Sequence, residues 1–212
     1  MPNLSHEEAQ NNHTVAGTDE VGRGPLAGPV TAAAVIIPHT INPAIKAHLL
    51  THANDSKKLS PQKRDDLFTI IQTHCPHAIV HVTEAEIDTL NIRTASLTAM
   101  TRALNALPTP ATFVLIDGNA TPKDLKIPSE TIIKGDTISL SIACASILAK
   151  VTRDRLMADL DKQFPHYNWA KNKGYPTPDH LKALSEHGVT PHHRTTFAPV
   201  AKIMAAAQKS VA

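Results

Sequence analysis

The chain has 212 residues, enough for one well-buried core and cramped for a second large domain, so one core with a small appendage is expected. A hydrophobic fraction of 42% with only 3% aromatic residues predicts a core of Ala, Ile, Leu and Val, and speaks against an interleaved aromatic stacking platform. A net charge of +2 offers little long-range attraction, so a polyanionic partner has to be met by locally gathered basic residues.

Residues 1–12 are polar and read as loose chain. Residues 13–18 read as a strand that opens at Asp19-Glu20 into a loop dense in Gly and Pro. An Ala/Val/Ile run over 30–37 predicts a buried strand stopped by Pro38. Residues 39–59 look irregular, with a turn of helix at 44–50. Ser60-Pro61 is a helix start, with Ser60 as N-cap and Pro61 in the first helical position, and the helix runs to about residue 73. A strand follows at 78–82, helical material at 84–89 and a longer helix at 91–107. The strand at 113–116 delivers Asp117 at its end, and a short strand at 131–133 is broken by Lys134-Gly135-Asp136. Helices are expected over 139–160 and 178–187.

Neighbouring strands followed by strand–helix alternation give an α/β fold, a mixed sheet covered by helices. A doubly wound dinucleotide fold is the alternative, but Gly22-Arg23-Gly24 lacks the full G-x-G-x-x-G spacing and the helix behind it. A core over residues 13–161 and a small helical extension over 162–212 are expected. Cys75 and Cys144 form no ligand cluster, and the sequence shows neither a signal peptide nor a membrane span, so a reduced, cytoplasmic protein without a membrane partner is expected.

Asp19 and Glu20 stand side by side ahead of Gly22-Arg23-Gly24. Adjacent strand residues face opposite ways, so both acids reach one metal cluster only if the backbone bends or one reaches round. Asp117 ends an apolar strand; an Asp-Gly turn explains it as readily as a ligand does. Asp154 lies on the long helix close to the Val151 direction, where an inward acid needs a counter-ion or a metal; Arg153 and Arg155 alternatively leave it in a solvated charge pattern. Together the four acids form an all-oxygen set suited to Mg²⁺ or Mn²⁺, and two ions about 3.5–4 Å apart suit phosphodiester hydrolysis. Gly22-Arg23-Gly24 reads as a phosphate-facing backbone with a guanidinium, or as a tight turn with a surface Arg. Lys57, in Asp55-Ser56-Lys57-Lys58-Leu59-Ser60, reads as a phosphate contact or as part of a solvated run.

In order along the chain, Gly17-Thr18-Asp19-Glu20-Val21-Gly22-Arg23-Gly24-Pro25, Asp55-Ser56-Lys57-Lys58-Leu59-Ser60, Ile116-Asp117-Gly118-Asn119 and Lys134-Gly135-Asp136 are followed by Ala149-Lys150-Val151-Thr152-Arg153-Asp154, Lys173-Gly174-Tyr175-Pro176-Thr177 and His193-Arg194-Thr195-Thr196-Phe197. This ordered set resembles the ribonuclease HII family from Val15 to Val200. The resemblance implies a ribonuclease-H-like mixed sheet with a helical extension, and a metal-dependent endonuclease acting on RNA/DNA hybrids and on ribonucleotides embedded in duplex DNA, working as a monomer. It assigns the four catalytic acids to Asp19, Glu20, Asp117 and Asp154. Junction recognition falls to Gly22, Arg23 and Gly24, contact with the junction sugar and its 2′-hydroxyl to Tyr175, and backbone contacts to Lys57 and Lys173. Asp136 reads as a loop or cap residue. Cys144 and Asn172 depart from the family's usual Ala and His.

Overall fold

A computed structural model describes residues 1–209. The elements run α1 (Ser5–Ala9), β1 (Val15–Val21), β2 (Val30–Ile36), α2 (Pro43–His52), α3 (Pro61–His74), β3 (His77–Val82), α4 (Glu84–Leu90), α5 (Ile92–Asn105), β4 (Phe113–Asp117), β5 (Ser129–Ile132), α6 (Leu140–Gln163), α7 (Trp169–Asn172), α8 (Pro178–His187) and α9 (Ala198–Lys209). The strands form one sheet in the order β3-β2-β1-β4-β5. β1 is antiparallel to β2 and parallel to β4, and β4 is parallel to β5, which makes the sheet mixed, as the strand order in the sequence implied.

The chain divides into two compact units. The first takes Met1–Val21, Thr31–His81 and Ser96–Val151. Its main core joins Ala33 and Val35 of β2, Leu49 of α2, Leu67, Phe68 and Ile71 of α3, and Ala143, Cys144, Ile147 and Leu148 of α6. Each fully buried Leu or Ile there contributes about 1.5–3 kcal/mol. A smaller cluster of Val15, Leu115, Ile132 and Ile142 ties β1, β4 and β5 to α6. Gly17 makes that approach possible, since a Cβ on it would collide with the backbone of Ser141 and Ile142. α3 begins as its sequence predicts, with Ser60 Oγ accepting from Lys63 N–H at 3.3 Å and Pro61 at the start of the helix.

Three local expectations change. Residues 1–12 are not loose: α1 presents Glu7, whose Oε1 accepts from Ser141 N–H at 2.9 Å and from the Ser139 and Ser141 hydroxyls, each at 2.7 Å. A carboxylate thus caps the start of α6 from 134 residues away, a pairing that no local pattern reveals. α2 is a full helix of 10 residues because Asn42 caps it and Pro43 opens it. The chain's last described helix is α9, well beyond α8.

The second unit takes Gly22–Val30, Val82–Ala95 and the chain from Thr152 onward. The C-terminal helices are therefore grouped with two earlier segments, whereas the sequence placed a boundary near residue 161. Hydrogen bonds explain the grouping: Leu26 N–H donates to the Gly174 carbonyl at 2.7 Å, and Arg194 N–H to the Leu26 carbonyl at 2.8 Å. The core of this unit is Leu26, Ala27, Met157, Tyr167, Trp169, Ala183, Leu184 and Val200. Among the described residues no helix is long and apolar enough to cross a membrane.

Asp88 on α4 clamps the C-terminal segment of this unit. Its carboxylate accepts the backbone N–H and hydroxyl of both Thr195 and Thr196 at 2.6–3.0 Å. Partial burial raises its pKa, but these hydrogen bonds win and hold it below the ordinary 3.8. A depressed carboxylate contributes stability above the unfolded value and loses it as pH falls through its own lowered value. Asp88→Ala is therefore expected to cost roughly 1–2 kcal/mol at neutral pH, a range discounted for its partial exposure. In thermal melts the gap between the two proteins should close in strong acid; a gap that persists there would contradict the clamp.

Candidate active site

β1 continues through both acids, rather than ending before them as its sequence suggested. Asp19 pairs with Ala33 and Glu20 with Ala32 across the antiparallel ladder, so the alternation of the strand buries Asp19, 7% exposed, and leaves Glu20 half-buried. Asp19 Oδ1 accepts Glu20 N–H at 2.7 Å, and Ser146 of α6 gives the carboxyl a hydroxyl hydrogen bond. The Ser146 hydroxyl also bonds that of Ser56 at 3.0 Å. The Asp19 pKa lies well above 3.8, first through burial, then through the charges of Glu20 and Asp117, with Asp136 adding and Ser146 opposing.

Asp117, the last residue of β4, is held by the loop after β5. Gly135 N–H donates to its Oδ1 at 2.7 Å, and the Asp136 and Gly118 amides also bond it. Burial raises its pKa against those bonds and the Lys57 charge. Lys134 takes a left-handed conformation, φ 58°, as the chain enters the 3-10 turn Gly135–Thr137. That turn puts the Asp136 carboxyl in the fields of both Asp19 and Asp117 and in hydrogen-bond contact with Asp55. Burial, then the charges of Asp55 and Asp117, push Asp136 up to about 6. A cavity of about 390 Å³ opens here, lined by Asp55, Lys57, Lys58, Asp117, Lys134, Asp136 and Thr137.

The first unit thus gathers Asp19, Glu20 and Asp117 in one electrostatic cluster, with Lys57 exposed at its edge. It also brings in Asp136, which sequence reasoning assigned to a loop or cap. The available signal was its place in a turn that follows a short strand parallel to β4; the local Lys-Gly-Asp pattern reads only as a turn. Asp154 lies in the second unit on α6, half-buried and beside Arg153, with which it interacts electrostatically.

The second unit holds the other predicted residues. Arg23 and Gly24 are exposed, and the Tyr175 ring lies over Gly24, 3.1 Å from where a Cβ would stand. Gly22 has φ +94° and packs against the Arg153 side chain, which leaves no room for a side chain of its own. Two buried guanidiniums hold this loop by its carbonyls. Arg153, 1% exposed, donates to Pro29, Lys173 and Ala27 at 2.9–3.0 Å. Arg194, 0% exposed, donates to Gly22, Arg23 and Gly28 at 2.6–3.0 Å. Burial lowers their pKa values to about 10 and about 9, and the Arg153 charge adds to the second shift. Arg153 is thus no surface charge. The Lys173 ammonium turns back onto the Ala170 carbonyl, and Asn172, also buried, bonds Tyr167 and Gly174 instead of reaching the surface.

The mixed sheet with acids on β1 and at the end of β4, flanked by helices and followed by a helical extension, is the ribonuclease-H-like architecture. The solved ribonuclease H2 of Pyrococcus horikoshii OT3 matches it with a TM-score of 0.76 at 26% identity, covering 92% of this chain and 99% of that one. The family model described as Ribonuclease HII matches residues 16–200. Ribonuclease HII from Ruegeria sp. (strain TM1040) is 52% identical over 206 residues, 96% of this chain and 87% of that protein. The Paracoccus denitrificans (strain Pd 1222) ribonuclease HII is 50% identical over 206 residues, 96% and 95% of the two chains. The chain belongs to the ribonuclease HII family.

Proposed function

We propose that the carboxylates around Asp19 are the catalytic centre of a divalent-metal-dependent endoribonuclease. The enzyme hydrolyses the RNA strand of RNA/DNA hybrids and incises duplex DNA on the 5′ side of embedded ribonucleotides, leaving 3′-hydroxyl and 5′-phosphate ends. The observation that carries this reading, within a chain of this family, is the crowding of like charge: Glu20, Asp117 and Asp136 all raise the pKa of a buried Asp19. Such a cluster is costly unless a cation relieves it, and its donors are all hard carboxylate oxygens, which fits Mg²⁺ or Mn²⁺. Among the described residues no three His, Cys, Asp or Glu side chains stand in a ready-made ligand arrangement for such a cation. When bound, it supplies charge neutralisation and a more acidic water.

The chain's own residues do the rest. Ser146 and the Glu20 amide orient Asp19, the amides of Gly118, Gly135 and Asp136 orient Asp117, and Lys57 offers a cation to substrate phosphate. In the second unit, Gly22, Arg23 and Gly24 present backbone and guanidinium to the phosphate and sugar of an RNA-to-DNA junction. Tyr175 senses the 2′-hydroxyl, the group that separates RNA from DNA, and Lys173 contacts the backbone. One copy of the chain carries every group named, which supports action as a monomer. Its two free, buried cysteines support a cytoplasmic setting.

We take Asp19, Glu20, Asp117 and Asp136 as the acid set; Asp154 remains a candidate through its sequence block. A duplex with a single ribonucleotide, incubated with Mg²⁺ or Mn²⁺, should be incised, and chelation should stop the reaction. Asp136→Asn should lower the rate roughly a hundred-fold, and Asp154→Asn by less than about ten-fold. The reverse order would return the fourth place to Asp154, and incision that survives chelation would overturn the metal-dependent reading.

A further inference from the structure

Tyr175 is 42% exposed, yet its carbonyl is anchored in a buried polar network of the second unit. Trp169 and His180 are fully buried and His193 is 1% exposed. Thr190 N–H donates to His193 Nδ1 at 3.0 Å. An amide only donates, so His193 carries its proton on Nε2. Trp169 Nε1–H, another pure donor, meets His180 Nε2 at 3.1 Å, so the His180 proton sits on Nδ1, 2.9 Å from the Tyr175 carbonyl. His193 Nε2–H then donates to the same His180 Nε2 at 3.1 Å. Each contact fixes the next, giving a relay from Thr190 through His193 and His180 to Tyr175 with both rings neutral, in which the Trp169 and His193 protons share the single lone pair of His180 Nε2.

Burial lowers the pKa of both rings, that of His193 to about 3, where the charges of His180 and His192 also contribute. The packing agrees: the Tyr167 and Trp169 rings stand 4.9 and 5.3 Å from His193, centroid to centroid, and offer no counter-ion. At its far end the relay meets a residue whose backbone N–H and carbonyl are each already hydrogen-bonded. Tyr175 N–H donates to the Asn172 carbonyl at 2.9 Å, and Thr177 N–H donates to the Tyr175 carbonyl at 2.8 Å.

We propose that His180 is a positioning residue for substrate recognition, its Nδ1–H holding the Tyr175 backbone so that the ring stays over Gly24. The proposal rests on the reading of Tyr175 as the residue that senses the ribose. His180 does not touch substrate. Its two ring nitrogens do different work, one accepting from Trp169 and His193 and the other fixing Tyr175, and two substitutions separate them. A glutamine amide reaches the Nε2 side and keeps an acceptor there but loses the donor to Tyr175; an asparagine amide keeps a donor near Nδ1 and loses the acceptor.

The test compares binding of a duplex containing one ribonucleotide with binding of the all-DNA duplex, together with KM and kcat for incision. His180→Gln should reduce the preference for the ribonucleotide duplex about ten-fold, through KM, with kcat within about two-fold; His180→Asn should keep the preference within about two-fold despite a lower melting temperature. Equal losses of preference in both variants would overturn the positioning role and leave His180 a packing residue. Nitrogen chemical shifts at neutral pH should show Nδ1–H on His180 and Nε2–H on His193, and the opposite tautomer on His180 would overturn the relay whatever the activity. Tyr175→Ala serves as the reference. An unchanged preference there defeats the reading of Tyr175, a failure distinct from either of those.

Discussion

Asp19→Asn raises the melting temperature of the metal-free protein and lowers incision roughly a thousand-fold. Burial and the charges of Glu20 and Asp117 hold the Asp19 carboxyl well above 3.8, so the folded chain keeps a proton that the unfolded chain has already released. For such an acid the stability is greatest at low pH and falls as pH climbs from the ordinary value through the raised one. At neutral pH the carboxylate therefore costs stability. Asparagine has the same shape and still accepts from the Ser146 hydroxyl, but it brings no charge. The difference in melting temperature should be absent near pH 3, where both side chains are neutral, and should widen toward neutrality. Mg²⁺ or Mn²⁺ should raise the melting temperature of the wild type and do so far less for the variant, because ligand binding stabilises only the state that binds. A variant that melts lower at neutral pH, or that cuts normally, would defeat the assignment.

Arg194→Met should cost on the order of 4 kcal/mol or more, since it removes every guanidinium bond to the Gly22, Arg23 and Gly28 carbonyls and leaves those groups without their donor. Methionine matches the stem but donates nothing. Arg194→Lys should fall between the two, because an ammonium keeps the charge while losing the planar fork. Chemical denaturation of the three proteins checks the order; a Met variant within about 1 kcal/mol of wild type would show that the loop holds its shape unaided.

Elements governed by local rules were legible in the sequence. Ser60-Pro61 announced α3, the run before Pro38 announced β2, and the Phe113–Ile116 strand announced the delivery of Asp117. What stayed hidden depended on partners distant in sequence. Asp136 reads as a turn residue because the left-handed Lys134 and the tight turn after it, not the neighbouring side chains, aim its carboxyl toward Asp19 and Asp117. Arg153 reads as part of a solvated charge pattern, since an arginine paired only with backbone carbonyls leaves no acidic residue as a clue. Pairing with β2 carried β1 through Glu20, where the glycines beyond suggested an earlier end. α2 is the exception: Asn42 and Pro43 spelled out its start, and the irregular composition around them obscured it.

The hydrogen bonds between Arg194 and Gly28 span 166 residues of sequence. A ribosome adding roughly 5–20 residues per second makes the Gly22–Val30 loop some 8–30 seconds before its clamp exists. Until Arg194 emerges the Gly22, Arg23 and Gly28 carbonyls lack their guanidinium, and of the two arginines only Arg153, itself made more than 120 residues after the loop, can hold this stretch. β1 and β2, on either side, can pair as soon as both have emerged, so this stretch waits as an unfastened link between two formed strands. In the growing chain the segment proposed to recognise the RNA-to-DNA junction is thus among the first made and among the last to take its final shape.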